Sequence, residues 1–141
     1  MRNVFFFVIG LFVLLTSCRK DFDFKASSGD LRFSRDTVYL DTVFTNIGSS
    51  TYTLKVYNQS NDINIPVIQL ARGLSSKYRM TVDGMQGDSG KIFNNVELLR
   101  KDSLYIFIEV TADVASANPD DFLYTDQILF DSGSKQQKVE L

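Results

Sequence analysis

The sequence predicts an all-β domain of about seven to eight strands, arranged as an antiparallel two-sheet sandwich and preceded by a signal-peptide helix. After Asp30, apolar residues recur with a period of two rather than 3.6. β-branched and aromatic residues concentrate in short runs, and clusters of Gly, Asn, Asp and Ser separate these runs. With 141 residues, the chain is long enough for one domain with a sizeable core.

The amino-terminal segment has the pattern of a secretory signal peptide. Arg2 supplies a basic start, and an uninterrupted apolar run of twelve residues extends from Val4 to Leu15. A helix of this length would be roughly 18 Å long, which is shorter than the hydrocarbon core of a membrane, about 30 Å. A basic start, a short apolar stretch and small residues after it predict export.

The end of this segment, Leu15-Thr16-Ser17-Cys18, resembles the lipobox of bacterial lipoproteins. The resemblance implies that 1–17 is removed as a lipoprotein signal peptide and that Cys18 is lipidated. An ordinary signal peptide with a chance cysteine, or a short buried helix with a buried cysteine, is the alternative. The lipoprotein interpretation is favoured because the only cysteine lies where the motif requires it. Several acyl chains anchor a protein stably, whereas one chain binds marginally.

Residues 18–30 are predicted to be the lipidated cysteine and a flexible tether, because they show no clean period and end in Ser-Ser-Gly-Asp. Arg19 stands where an Asp would signal inner-membrane retention in well-studied lipoproteins, so the resemblance favours the outer membrane. Lys20 to Asp23 partly matches the charged surface-export signal of Bacteroidota lipoproteins. A solvated charged linker explains these residues equally well.

The domain is predicted to occupy 31–141. In its first half, strands are predicted at 31–34, 37–45, 52–58, 63–70 and 77–82. The third of these segments alternates, with Thr53, Lys55 and Tyr57 on one face. Pro66 predicts an edge strand or a bulge, because proline cannot donate to a sheet.

The second half holds the best-formed predicted strands. In 104–110 the even-numbered residues form an unbroken apolar face, whereas Tyr105, Phe107 and Glu109 form the other. Such a strand is expected at the centre of a sheet, or with its aromatic residues against a neighbouring domain. A strand at 96–98 precedes it, and 122–130 and 135–141 form a predicted hairpin.

Regular spacing of short strands favours an antiparallel sandwich of immunoglobulin type. The Cys…Trp…Cys signature is absent, which argues against a true antibody-like domain. A small barrel is the structural alternative.

Three segments, beginning at Leu31, Phe93 and Thr125, resemble the amino-terminal immunoglobulin-like domain of a group of Bacteroidota surface lipoproteins. Lys101-Asp102-Ser103, before a strong apolar strand, also distantly resembles Hydin-type modules. In the lipoprotein family the domain is usually followed by a right-handed parallel β-helix, the fold of many carbohydrate-active and adhesive surface proteins. The resemblance implies the front end of a longer surface protein or a shortened member. The alternative is a last strand that simply ends the domain.

Composition argues against several functions. The chain has no histidine, which excludes Ser-His-Asp and Cys-His sites and the usual zinc sites. One cysteine excludes an intramolecular disulfide framework. A net charge of −2 gives no reason to expect nucleic acid as a partner. We therefore expect no catalytic residues, no metal and no cofactor.

Three Asp-Ser/Thr-apolar triplets resemble the O-glycosylation sequon of Bacteroidota, with Thr37, Thr42 and Ser103 as acceptors. Chance explains any one triplet best, and Ser103 is the preferred acceptor because it lies at a turn. Five aspartates could supply oxygen ligands for calcium, but their spacing fits solvated loop acids better: Asp83, Asp88, Asp120, Asp121 and Asp126. Their spacing gives no support to a glycosidase pair either.

Five aromatic residues would form a sugar-stacking or protein-binding platform if exposed, although ordinary surface and core positions are the simpler interpretation: Tyr39, Tyr57, Tyr105, Phe107 and Tyr124. The leading hypothesis is a lipid-anchored, non-catalytic immunoglobulin-like interaction or stalk module of the bacterial envelope, with a protein or glycan as its surface partner. The alternative is an accessory glycan-binding lipoprotein of an outer-membrane uptake system, and a third is a hydrolase whose catalytic part lies elsewhere. Coplanar exposed aromatic rings beside carboxylates or amides would favour glycan binding.

Overall fold

The described residues form two β-sheets that pack as two layers, and the predicted all-β class is confirmed. The computed structural model describes residues 22–42, 44, 47–111 and 123–141. The strands are β1 (Lys25–Ala26), β2 (Leu31–Phe33), β3 (Tyr52–Asn58), β4 (Ile63–Leu70), β5 (Tyr78–Val82), β6 (Ile92–Leu98), β7 (Ser103–Val110), β8 (Gln127–Asp131) and β9 (Gln136–Glu140). A short 3-10 turn, Gly73–Ser75, follows β4.

The first sheet is built around β4. One edge of β4 pairs with β6, and the other edge is shared by β1, which is parallel, and β8, which is antiparallel. β9 pairs with β8, and an isolated parallel bridge joins Thr37 to Glu140 at the far side of β9. The first sheet therefore draws on both ends of the described chain.

The second sheet has the order β2-β3-β7-β5, and all of its pairs are antiparallel. β7 lies between β3 and β5, so its predicted central position is confirmed. Its inward side chains Leu104, Ile106 and Ile108 are fully buried. Because strand residues alternate between faces, the residues between them must point away from the core.

The core lies between the two sheets. The second sheet contributes Leu54 and Ile106, the first contributes Ile68 and Ile128, and all four are completely buried. Phe33 contacts Phe130 across the layers, with ring centroids 4.8 Å apart. Full burial of each such side chain stabilises the fold by about 1.5–3 kcal/mol, so this shared layer holds the two sheets together.

The predicted strand at 37–45 is not observed as a strand. Among its described residues only Thr37 forms a bridge, where the amide of Val38 donates to the carbonyl of Glu140. A few residues later the amide of Asp41 donates to the hydroxyl of Tyr52 in the second sheet. The segment thus crosses from one sheet to the other, and a crossing chain cannot continue a ladder in either.

Pairing begins earlier than residue 31, within the predicted tether. Lys25 and Ala26 lie beside Ile63 and Asn64, and the amide of Ser27 donates to the carbonyl of Asn64 at 2.8 Å. The predicted signal-peptide helix, within residues 1–17, lies outside the described residues. Among the residues that are described, no helix has the length and apolar character needed to cross a membrane.

Pro66 lies in β4, which is an internal strand and not an edge. At this point the alternation of buried and outward side chains in β4 shifts by one residue: Ile63 and Ile65 are buried before Pro66, and Ile68 is buried after it. In β6 the alternation shifts in the same way at Asn95, which lies opposite Pro66 and has a φ of 54°. The pairing register is the same on both sides because each strand carries one extra residue. β1 pairs with β4 before Pro66, and β8 pairs with β4 after it. Proline has no amide hydrogen to donate, and at this position neither β1 nor β8 needs one.

Candidate binding face

The outward face of the second sheet gathers aromatic and polar side chains from its two central strands. β3 presents Lys55 and Tyr57 there, because Leu54 and Val56 point into the core. β7 presents Tyr105 and Phe107 for the same reason. The register places Lys55 opposite Tyr105. We call these four residues, Lys55, Tyr57, Tyr105 and Phe107, the aromatic platform.

The rings of Tyr105 and Phe107 are nearly parallel. Their planes differ by 14° and their centroids are 6.4 Å apart, which is within the range of offset aromatic pairs. Tyr105 is 42% exposed, Phe107 is 41% exposed and Tyr57 is 36% exposed. The platform therefore offers three partly exposed rings to a molecule in solution.

Lys55 lies between two of these rings. Its Nζ atom is 5.0 Å from the centroid of the Tyr105 ring and 5.1 Å from that of Tyr57, so it makes cation–π contacts with both. The polar contact with the Tyr105 side chain raises the pKa of the Lys55 ammonium group above its ordinary value. The centre of the platform is therefore positively charged at neutral pH.

Hydroxyl groups border the platform. Thr53 of β3 and Thr81 of β5 stand opposite Phe107 on its two sides, so a threonine flanks this ring in both directions across the sheet. Ser103 stands opposite Tyr57 at the other end of the platform. The rings of Phe107 and Tyr57 therefore have hydroxyl groups beside them, which can form hydrogen bonds with the polar groups of a ligand.

Glu109, a carboxylate on this face, already has partners. It accepts a hydrogen bond of 2.7 Å from the Thr51 hydroxyl and forms an ion pair of 3.1 Å with Arg79, which stands opposite it on β5. The hydrogen bond from Thr51, followed by that from Arg79, lowers the pKa of Glu109 below its ordinary value. Within the described ranges, Lys55 and Arg32 have no such ion pair.

The structure brings together three of the five aromatic residues that the sequence singles out. Tyr39, which is 83% exposed, lies in the segment that leaves the bridge to β9. Tyr124 packs on Tyr78 instead, with ring centroids 5.5 Å apart, and Arg72 lies over its ring. Lys55 is not among the residues that the sequence singles out, although the period of two places it on the same face as Tyr57.

The five aspartates do not form one cluster. Asp83 and Asp88 are exposed in the connection between β5 and β6, and Asp120 and Asp121 lie outside the described residues. Asp126 departs from the expected solvated loop acid, because it is only 5% exposed. Its carboxylate accepts hydrogen bonds from the Ser76 hydroxyl at 2.5 Å and from the amides of Arg72 and Gln127.

Within the described part of the chain, no group of three or more His, Cys, Asp or Glu side chains is arranged so that it could hold a metal ion. The lipobox and lipidation residues, 15–18, lie outside that part. Thr37 is half-buried at its bridge, and Thr42 is exposed. Ser103 is half-buried at the start of β7, where its amide donates to the Asp102 carboxylate at 2.7 Å.

Comparison with known proteins gives no match: no protein-family model fits the chain, and no curated protein and no solved structure is significantly similar to it.

Proposed function

We propose that this chain is a lipid-anchored, non-catalytic binding module of the bacterial envelope and that the aromatic platform is its binding surface. The observation that carries the proposal is the set of three partly exposed rings on one sheet face, two of which contact Lys55. The opposite face of the same strands already supplies the core, so these rings are not needed for burial. Contiguous exposed apolar groups with a polar border are typical of binding sites.

We further propose that the sandwich is of immunoglobulin type. Strand order supports this, because β2-β3-β7-β5 corresponds to the A-B-E-D sheet and β4-β8-β9 to the C-F-G strands of such domains. The bridge between Thr37 and Glu140 also supports the immunoglobulin type, because it brings the segment after β2 to the first sheet. β6 departs from the constant-type order, since it follows β5 in the chain but pairs with β4.

The proposed anchor is Cys18, and the outer membrane is the proposed location. Support comes from the lipobox-like residues before Cys18 and from Arg19 after it. Pairing at Lys25 leaves at most the seven residues 18–24 between the anchor and the sheet, and seven residues reach no more than roughly 25 Å. The module would then be held close to the membrane surface, within reach of molecules that are displayed there.

Two ligand classes are expected, proteins and glycans, and the platform favours glycans. A stable protein interface buries about 800 Å² on each partner, with several anchoring side chains. The platform has only three rings, and threonine hydroxyls border the ring of Phe107 on both sides. A sugar can lay its C–H face on an aromatic ring while its hydroxyls bond to side chains beside the ring. This arrangement supports an accessory glycan-binding lipoprotein.

The test measures binding of the full chain, purified in detergent, to arrayed neutral and acidic oligosaccharides. The double substitution Tyr105→Ala and Phe107→Ala is expected to weaken binding about tenfold, because each ring contact contributes about 0.5–1.5 kcal/mol. Tyr39→Ala removes a more exposed ring away from the platform and is expected to leave binding unchanged. Absence of binding to every glycan, or binding that survives the double substitution, would refute the proposal.

A further inference from the structure

Resting on this proposed function, we propose that the glycan ligand is acidic and that Lys55 binds the carboxylate of a uronic acid residue stacked on the platform. Aromatic rings alone do not determine which class of sugar binds. The position of one ammonium group and the charges around it distinguish an acidic sugar from a neutral one.

Lys55 lies over two rings of the platform, next to the ring of Phe107, on which a sugar can stack. Its Nζ atom is about equally distant from the centroids of the Tyr57 and Tyr105 rings, at 5.1 Å and 5.0 Å. The contacts with two rings favour this position of the ammonium group above the sheet. A carboxylate attached to a sugar ring that stacks on Phe107, whose centroid is 6.4 Å from that of Tyr105, would come within reach of the N–H donors of Lys55.

Two cations of this face have no ion pair within the described residues. Glu109 is engaged by Thr51 and Arg79. The Asp102 carboxylate acts on Lys55 through its charge, but it forms no ion pair with it. Arg32, which stands opposite Tyr57, adds a second positive charge that has no ion pair within the described residues. Lys55 and Arg32 are therefore available to an anionic ligand, although the whole chain has a net charge of −2. A neutral sugar would partly desolvate Lys55 without replacing its water by a counter-charge, whereas a uronate would supply one.

The experiment compares matched acidic and neutral ligands. Dissociation constants of the full chain in detergent are measured for oligosaccharides of galacturonate, glucuronate and mannuronate and for their methyl esters, which keep each sugar ring but lack the charge. At least one acid is expected to bind about fivefold or more tightly than its ester. Lys55→Met should reduce binding of the acid to the level of the ester and leave binding of the ester unchanged, whereas Lys55→Arg should retain the preference.

Lys25→Met is the matched control, because it removes the same charge from the first sheet and should leave the preference unchanged. Equal binding of acids and esters, together with loss in the double substitution at Tyr105 and Phe107, would overturn this inference while upholding glycan binding. An acid preference that persists in Lys55→Met would overturn it as well. Absence of binding to any glycan would instead refute the proposed function itself.

Discussion

Replacement of Asp126 by Ala is expected to destabilise the domain strongly, although the residue lies outside the binding face. The carboxylate connects three parts of the chain, two of them distant from it in sequence. It accepts hydrogen bonds from the buried Ser76 hydroxyl at 2.5 Å, from the Arg72 amide at 3.2 Å and from the Gln127 amide at 2.8 Å. Its own backbone pairs with that of Leu141 in both directions. It therefore fastens the turn after β4 to the beginning of β8.

The magnitude follows from the number of partners. A hydrogen bond to a charged group contributes about 1.5–3 kcal/mol, but three bonds to one carboxylate are not additive, and water can enter the space that is left. Alanine would leave a buried hydroxyl and two amides without their acceptor. We expect Asp126→Ala to lower the free energy of unfolding by about 3–5 kcal/mol, a large part of the total of a typical domain. Asp126→Asn keeps an acceptor oxygen and should cost about 1–2 kcal/mol.

The assay is urea unfolding of the full chain followed by circular dichroism, with Asp88→Ala as the control. Asp88 is an exposed loop acid whose carboxylate contacts the hydroxyl of the adjacent Ser89, so its replacement should change the free energy of unfolding by less than about 0.5 kcal/mol. If Asp126→Ala and Asp88→Ala had similar unfolding midpoints, the buried carboxylate would not hold the β4 and β8 segments together. If Asp126→Asn lost as much as Asp126→Ala, the loss would come from the charge and not from the missing acceptor.

Two further predictions concern the anchor and the pH dependence of the binding face. Cys18→Ala should abolish incorporation of labelled fatty acid and release the protein from membranes, and unchanged labelling would refute lipidation at this residue. The pKa of Glu109 is lowered in the folded state, so its contribution to stability is present above the ordinary value of 4.5 and is lost as the pH falls through the lower folded value. Because this group is largely exposed and solvent screens its partners, Glu109→Gln should cost about 0.5 kcal/mol or less at neutral pH, and nothing at a pH below the folded value. A difference between wild type and variant that grows on acidification would contradict this assignment.

The sequence predicts the bounds of several strands closely. β3 and β4 occupy the predicted ranges 52–58 and 63–70, and β7 begins one residue before the predicted 104. In β3 and β7 every second side chain is buried, so a local period of two determines both the strand and its orientation. The shared outward face of Tyr57 with Lys55, and of Tyr105 with Phe107, therefore follows from the amino-acid pattern alone.

The predictions that failed depend on contacts between distant parts of the chain. The segment 37–45 has the composition of a strand, but it contacts Glu140 at its beginning and Tyr52 soon afterwards, so it crosses between sheets. β-propensity measures how a side chain fits a pleated surface and cannot show which surface the segment meets. Asp126 has the sequence surroundings of a loop acid, because its principal partner, Ser76, is fifty residues away along the chain.

The aromatic platform depends both on the local alternation of side chains, which the sequence shows, and on strand pairing, which only the structure shows. Period two places Lys55 on the outer face of β3 and Tyr105 on the outer face of β7, but only the pairing register sets them opposite one another. The inner faces of the same strands fill the core without help from the outer side chains. Tyr105 and Phe107 are each more than half buried on a central strand, so alanine at both should lower the free energy of unfolding by about 1–2 kcal/mol. That loss is small beside the stability of a typical domain, about 5–15 kcal/mol, so the fold should persist, and circular dichroism of the variant checks this. A loss of glycan binding in that variant would therefore report on the rings and not on unfolding.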